Sequence, residues 1–82
     1  MIVEATNTVL TQIVVTKLTK MLGETKGMQL VTEVLGRLNN KAQVQTADDM
    51  KRVADDLILR GGLTKMIGHS IMVEALLRGA KQ

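Results

Sequence analysis

The chain has 82 residues, of which 45% are hydrophobic and 23% charged, so it has enough apolar content to fold as one domain. Phe, Trp, Tyr, Cys and Pro are all absent. This composition excludes disulfides, thiolate metal sites and aromatic stacking platforms. The net charge is only +3, with no basic arm or acidic tail. We therefore expect a small globular protein that is not an enzyme and holds no cofactor or metal.

The sequence shows neither a membrane-spanning segment nor a secretory signal. No apolar run exceeds three residues, whereas a membrane-spanning helix needs about 20. The first residues lack the charged stretch followed by an apolar core that is typical of a secretory signal. The sequence therefore predicts a cytoplasmic protein without a transmembrane segment.

The first predicted helix covers about residues 2–22. Many β-branched residues favour a strand here, and residues 2–16 keep that alternative open. However, Leu10, Val14 and Leu18 fall on one side of a helix, with polar residues mostly opposite. Periodicity therefore favours a helix.

A second helix is predicted over about residues 26–38, with its apolar residues on one arc and Thr25 as its N-cap. Residues 39–40, both Asn, would form its exit. Gly36 lies inside this helix, where Gly costs about 1 kcal/mol relative to Ala. We expect a close helix contact to offset that cost, either within the chain or across a dimer.

The third helix has the clearest signals. Apolar residues from Met50 to Ile58 follow the i, i+3, i+4, i+7 spacing of an amphipathic helix. Thr46 can cap its first turn, where aspartates also favour the helix dipole. The pair Gly61–Gly62 predicts its end. The remaining segment, 63–80, is apolar over a wide arc, which indicates a helix covered on more than one side.

Residues 18–23 (LTKMLG) are echoed by residues 63–68 (LTKMIG). In each half the echo is followed by a Glu with an Arg four residues later, Glu33 with Arg37 and Glu74 with Arg78. Glu before Arg is the favoured order for a pair one turn apart. One interpretation is a duplicated helical hairpin, in which Gly23 and Gly68 each end a helix and Thr25 or Ser70 caps the next. The other is chance similarity in a chain of narrow composition.

Neither a catalytic nor a metal site is predicted. His69 is the only histidine and has no nucleophile with which to form a dyad, so we interpret it as a turn or cap residue. The aspartates of the third helix lie one turn from basic residues, which predicts surface ion pairs rather than a metal site. The predicted ion pairs are Asp48 with Arg52, Lys51 with Asp55, and Asp56 with Arg60.

The fold prediction is an all-α bundle of four helices in one domain, arranged as two related hairpins over about residues 2–40 and 46–80. Three methionines are expected in the core: Met21, Met50 and Met66. Met28 and Met72 lie on apolar arcs that are too wide for one neighbouring helix to cover, so we expect them at an interface. The surplus apolar surface of residues 63–80 favours self-association, because a chain this small gains stability by oligomerising.

The first functional hypothesis is a non-enzymatic regulator or adaptor. It would dock an apolar helical face on another protein, on a second copy of the chain, or on both. The predicted interface residues are Leu30, Val34, Gly36, Met72, Leu76 and Leu77.

The alternative hypothesis is a small, basic, dimeric DNA-binding regulator. Lys17, Lys20, Lys26 and Lys65 would then contact phosphates. A helix-turn-helix resembling that of repressors is disfavoured, because counting from Gly23 places Gln29 at a position that this motif buries.

Overall fold

The structure, a computed structural model, describes residues 9–38 and 43–80. These residues form four helices: α1 (Val9–Leu22), α2 (Glu24–Gly36), α3 (Ala47–Arg60) and α4 (Gly62–Leu77). No strand occurs in the described ranges. The predicted all-α bundle of four helices is confirmed. The predictions for residues 2–8 and 39–40 lie outside the described residues.

The helices form two hairpins that share one core. The most extensive contacts are between α3 and α4 and between α1 and α2. The hairpins meet where α1 contacts α3 and α4, and where α2 contacts α3. All four helices and the connection before α3 supply core side chains. The largest of these with almost no exposure are Leu18, Met50, Leu57, Ile71, Val14, Val44 and Val53.

Gly23 forms the turn of the first hairpin. Its φ of 91° is in the left-handed region that side chains other than glycine rarely adopt, and its N–H donates to the Thr19 carbonyl at 2.9 Å. Helix α2 begins directly afterwards at Glu24, whose carboxylate favours the positive end of the helix dipole. The predicted end of the first helix at Gly23 is correct. The predicted cap at Thr25 is wrong, because Thr25 lies inside α2.

Gly27 is the point of close contact between α1 and α2. A Cβ at this position would lie 2.6 Å from the Thr19 Cα and 2.9 Å from the Leu18 carbonyl oxygen. By contrast, nothing lies within 4 Å of a Cβ built at Gly36. The prediction of a close contact at Gly36 within the chain is therefore wrong, and Gly27 makes such a contact instead.

The connection between the hairpins is anchored to α1. The Val44 N–H donates to the hydroxyl of Thr11 at 2.8 Å, and both residues are buried. Helix α3 then begins as predicted, because the Thr46 hydroxyl accepts from the Asp49 N–H at 3.1 Å. The Asp49 carboxylate in turn accepts from the Gln45 N–H at 3.1 Å. Side chains therefore satisfy two backbone donors at the start of α3.

The second hairpin turns at Gly61 and Gly62, which have φ values of 75° and 61°. Gly61 ends α3, as predicted, and Gly62 is already the first residue of α4. Gly68 lies buried inside α4, where a Cβ would meet the Ile58 N and Cγ1 atoms at 2.9 Å. The predictions that Gly68 ends a helix and that Ser70 caps one are therefore wrong.

The two echoed segments occupy positions that are not equivalent. Residues 18–23 form the end of α1 and the turn after it, whereas residues 63–68 lie in the first half of α4. A duplicated hairpin would place both segments at the same point of each hairpin. The structure therefore argues against the duplication and favours chance similarity.

Ion pairs on α3 follow the prediction in part. Lys51 pairs with Asp55 at 3.5 Å, and Arg60 with Asp56 at 3.4 Å. Arg52, however, pairs with Asp49 at 3.6 Å rather than with Asp48, the predicted partner. These contacts lie one turn apart on a single helix, where each exposed pair contributes about 0.3 to 0.5 kcal/mol.

Two further ion pairs join the hairpins. Glu33 on α2 lies 2.7 Å from the Arg60 guanidinium, and Arg37, which follows α2, lies 3.9 Å from the Asp56 carboxylate. Each residue of the predicted intrahelical pair Glu33–Arg37 thus contacts α3. The corresponding residues after the second echo do pair with each other, with the Arg78 Nε donating to the Glu74 carboxylate at 3.1 Å.

Candidate protein interaction surface on α1 and α4

Helix α4 carries apolar side chains on two of its faces. The inner face is buried in the core through Ile67, Ile71 and Ala75. A second row on the outer face alternates spacings of three and four residues, which places its members on one side of the helix. This row, named the α4 seam, consists of Leu63, Met66, Ser70, Val73 and Leu77.

The α4 seam is open to solvent and carries no charge. Its apolar members are 44% (Leu63), 66% (Met66), 56% (Val73) and 79% (Leu77) exposed. Single exposed apolar residues are normal in soluble proteins, whereas a row of them along one helix is a candidate interaction surface. Its three-four spacing is the a/d pattern of coiled coils.

Of the six predicted interface residues, only Leu77 belongs to the α4 seam. Val34 is 2% exposed and lies in the core, so it offers no surface to a partner. Leu30 and Met72 are half-buried and pack on the core, and Leu76 is also half-buried. Gly36 is exposed at the end of α2. Sequence reasoning missed Leu63, Met66 and Val73, although their three-four spacing was present in the sequence.

The burial of the methionines differs in part from the prediction. Met50 is fully buried, as predicted. Met21 and Met66 were also expected in the core, but they are 54% and 66% exposed. Both side chains line the space between α1 and α4. Met28, expected on an interface, is 42% exposed on α2.

A surface groove runs between α1 and α4 and encloses about 320 Å³. At its centre the Lys17 ammonium donates to the Ser70 hydroxyl at 3.0 Å, which links the two helices. This cavity, named the α1/α4 groove, is lined by Lys17, Lys20, Met21, Met66, Ile67 and Ser70.

A second hollow of about 430 Å³ adjoins this groove, and Lys17 lines both. Its other lining residues are Val9, Gln12, Ile13, Thr16 and Glu74. The two hollows therefore lie next to each other along α1. Lys20 lines the first hollow, and Glu74 lines the second.

The structure brings together two of the four lysines predicted to contact nucleic acid. Lys17 and Lys20 share the α1/α4 groove, whereas Lys26 lies on α2 and Lys65 is an exposed residue of α4 that does not line the groove. Gln29, which a helix-turn-helix would bury, is exposed on α2. DNA binding stays a prediction without a continuous lysine surface to support it.

His69 lies inside α4 and is exposed, so its expected place in a turn or cap is wrong. Within residues 9–38 and 43–80, no three His, Cys, Asp or Glu side chains are grouped so that they could hold a metal ion. In the same part of the chain, every helix is too short or too polar to cross a bilayer.

The fold and this surface define a class: a small four-helix bundle that presents an exposed row of apolar side chains on α4. Comparisons of the chain with family models, with curated proteins and with solved structures return no match. The function must therefore be inferred from the chemistry of the α4 seam and the α1/α4 groove.

Proposed function

We propose that this protein is a non-enzymatic regulatory or adaptor protein that acts through protein–protein contact and self-associates through the α4 seam. The observation that supports this proposal is the seam itself, a row of exposed apolar side chains at three-four spacing along α4. Burying these side chains against another helix would remove apolar surface from water, which contributes about 25 cal/mol for each Å².

A second copy of the chain is the partner that best suits this surface. In a two-fold dimer the same patch meets itself, so a charge near the two-fold axis would face a like charge. The α4 seam itself contains no charged residue, and the Lys17 ammonium beside it donates to the Ser70 hydroxyl.

The test is the mass of the protein in solution, measured by size exclusion with light scattering over a range of concentrations. Refractive index must report concentration, because the chain has no Trp, Tyr or Phe. We expect the wild-type chain to have a mass above that of one chain, falling on dilution. The double substitution Val73→Asp with Leu77→Asp should yield a monomer with unchanged helical circular dichroism, since both side chains are exposed.

Leu59→Asp is the matched control, because Leu59 is 86% exposed on α3 and lies outside the α4 seam. This variant should associate like the wild type. The proposal is wrong if the wild-type chain has the mass of one chain at millimolar concentration. It is equally wrong if Leu59→Asp disrupts association as strongly as the double substitution does.

A further inference from the structure

We propose that the α1/α4 groove binds an acidic amphipathic helix of a partner protein. This surface shares Met66 and Ser70 with the α4 seam and otherwise consists of Ile67 and residues of α1. It assigns the protein a second contact, which would compete with self-association at the two shared residues.

The groove and the adjoining hollow together are long enough for a short helix. Helices α1 and α4 run antiparallel along them, with Met21 near Met66 in the groove and Val9 near Glu74 in the hollow. From Val9 to Met21, α1 rises about 18 Å at 1.5 Å per residue, which corresponds to roughly three turns of a docked helix. Helix-in-groove recognition uses apolar anchors over this kind of length.

The floor of the groove suits apolar anchors. Met21 and Met66 lie on opposite walls, both more than half exposed, and Ile67 lies between the groove and the core. Methionine side chains are unbranched and polarizable, so they adapt to the shape of an incoming leucine or isoleucine. Such surfaces bind the apolar face of amphipathic helices.

The charge of the groove selects an acidic partner. Lys17 and Lys20 line it, and within residues 9–38 and 43–80 no carboxylate lies within ion-pair distance of either ammonium. The hydrogen bond from Lys17 goes to the neutral Ser70 hydroxyl. At the far end, Glu74 is already paired with Arg78. Carboxylates beside the apolar anchors of a partner would complement the two lysines.

The same charges disfavour a second copy in the groove. A two-fold contact centred on the lysines would bring Lys17 and Lys20 of both copies together, and like charges at an interface oppose association. Nucleic acid is a poorer occupant as well, because the floor is apolar and only two lysines line the groove.

The experiment follows the methionine methyl signals of the full chain by NMR while a synthetic peptide is added. The probe is a capped peptide of about sixteen residues, with leucines on one helical face and glutamates flanking them. We expect the Met21 and Met66 signals to shift with the peptide, while those of Met28 and Met50 stay in place. A peptide with lysines in place of the glutamates should bind at least about tenfold more weakly.

Charge-matched variants test the role of the lysines. Lys17→Glu with Lys20→Glu should weaken binding of the acidic peptide at least about tenfold. Lys26→Glu with Lys65→Glu changes the net charge equally outside the groove and should leave affinity within about twofold.

Three outcomes would overturn the proposal: no shift at Met21 and Met66, equal binding of the acidic and basic peptides, or equal losses in the two double variants. It would also be overturned if duplex DNA moved the same signals and displaced the peptide. The chain with Val73→Gln and Leu77→Gln, which disrupts the α4 seam without adding charge, keeps the groove and should bind the peptide at least as tightly as the wild type. Failure of self-association is thereby separated from failure of the groove.

Discussion

Replacing Gly27 by alanine should destabilise the protein, although alanine is the better helix former. The added Cβ would lie 2.6 Å from the Thr19 Cα and 2.9 Å from the Thr19 N atom, both of which belong to the backbone. No side chain can rotate away to relieve these contacts. Ordinary van der Waals contact begins at 3.4 Å, so α1 and α2 must separate by about 0.8 Å.

The expected cost follows from that separation. A radial gap of 0.5 to 1 Å forfeits roughly a quarter to a half of the attraction between the facing atoms, and overpacking of this kind costs about 1 to 3 kcal/mol. The higher helix propensity of Ala offsets about 1 kcal/mol of this cost. We expect a net loss of up to about 2 kcal/mol in the free energy of unfolding, and a Tm lower by up to roughly 16 °C.

The assay is thermal and urea unfolding followed by helical circular dichroism, with every variant at the same protein concentration because association would shift the midpoint. Gly36→Ala is the control, since a Cβ there meets nothing within 4 Å. It should raise stability by up to about 1 kcal/mol. If Gly27→Ala proved as stable as Gly36→Ala, the close contact between α1 and α2 would not exist as described.

Two other changes test local features. Thr46→Ala removes the hydroxyl that accepts from the Asp49 N–H and should lower the free energy of unfolding, measured with urea, by about 1 kcal/mol. Thr46→Ser keeps a hydroxyl and should retain most of that stability. Equal losses in both variants would exclude a capping role. Arg60→Met removes the contacts to Glu33 and Asp56 that help to join the hairpins. This substitution should lower the free energy of unfolding by at most about 1 kcal/mol, and the loss should be smaller in 1 M NaCl. A loss independent of salt would show that packing of the arginine stem matters more than its charge.

Local chemistry explains why the predictions for α3 succeeded. The Thr46 cap, the following aspartates and the Gly61 end all act within one turn of the helix, and the periodic apolar residues leave only one face to bury. Such features do not depend on where the neighbouring helices lie. The same reasoning predicted the Gly23 turn and the all-α class correctly.

The surface residues of α4 could not be predicted in this way. Its apolar arc is so wide that several faces could enter the core, and the choice among them depends on how α3 and α1 pack against it. Predicted interface residues such as Met72 therefore became half-buried, while Met66, expected in the core, became exposed. The lysines Lys17 and Lys20 were predicted as a charged set, but their place beside Met21 and Met66 follows from the helix pairing.

The sequence by itself determined that four helices form, where α3 begins and ends, and that apolar surface exceeds what one face of α4 can bury. Those properties depend on neighbouring residues along the chain. The tertiary structure decided that Gly27 and Gly68 permit close helix contacts, whereas Gly36 does not. It also decided which row of α4 remains outside, because these choices depend on distances between residues far apart in the sequence.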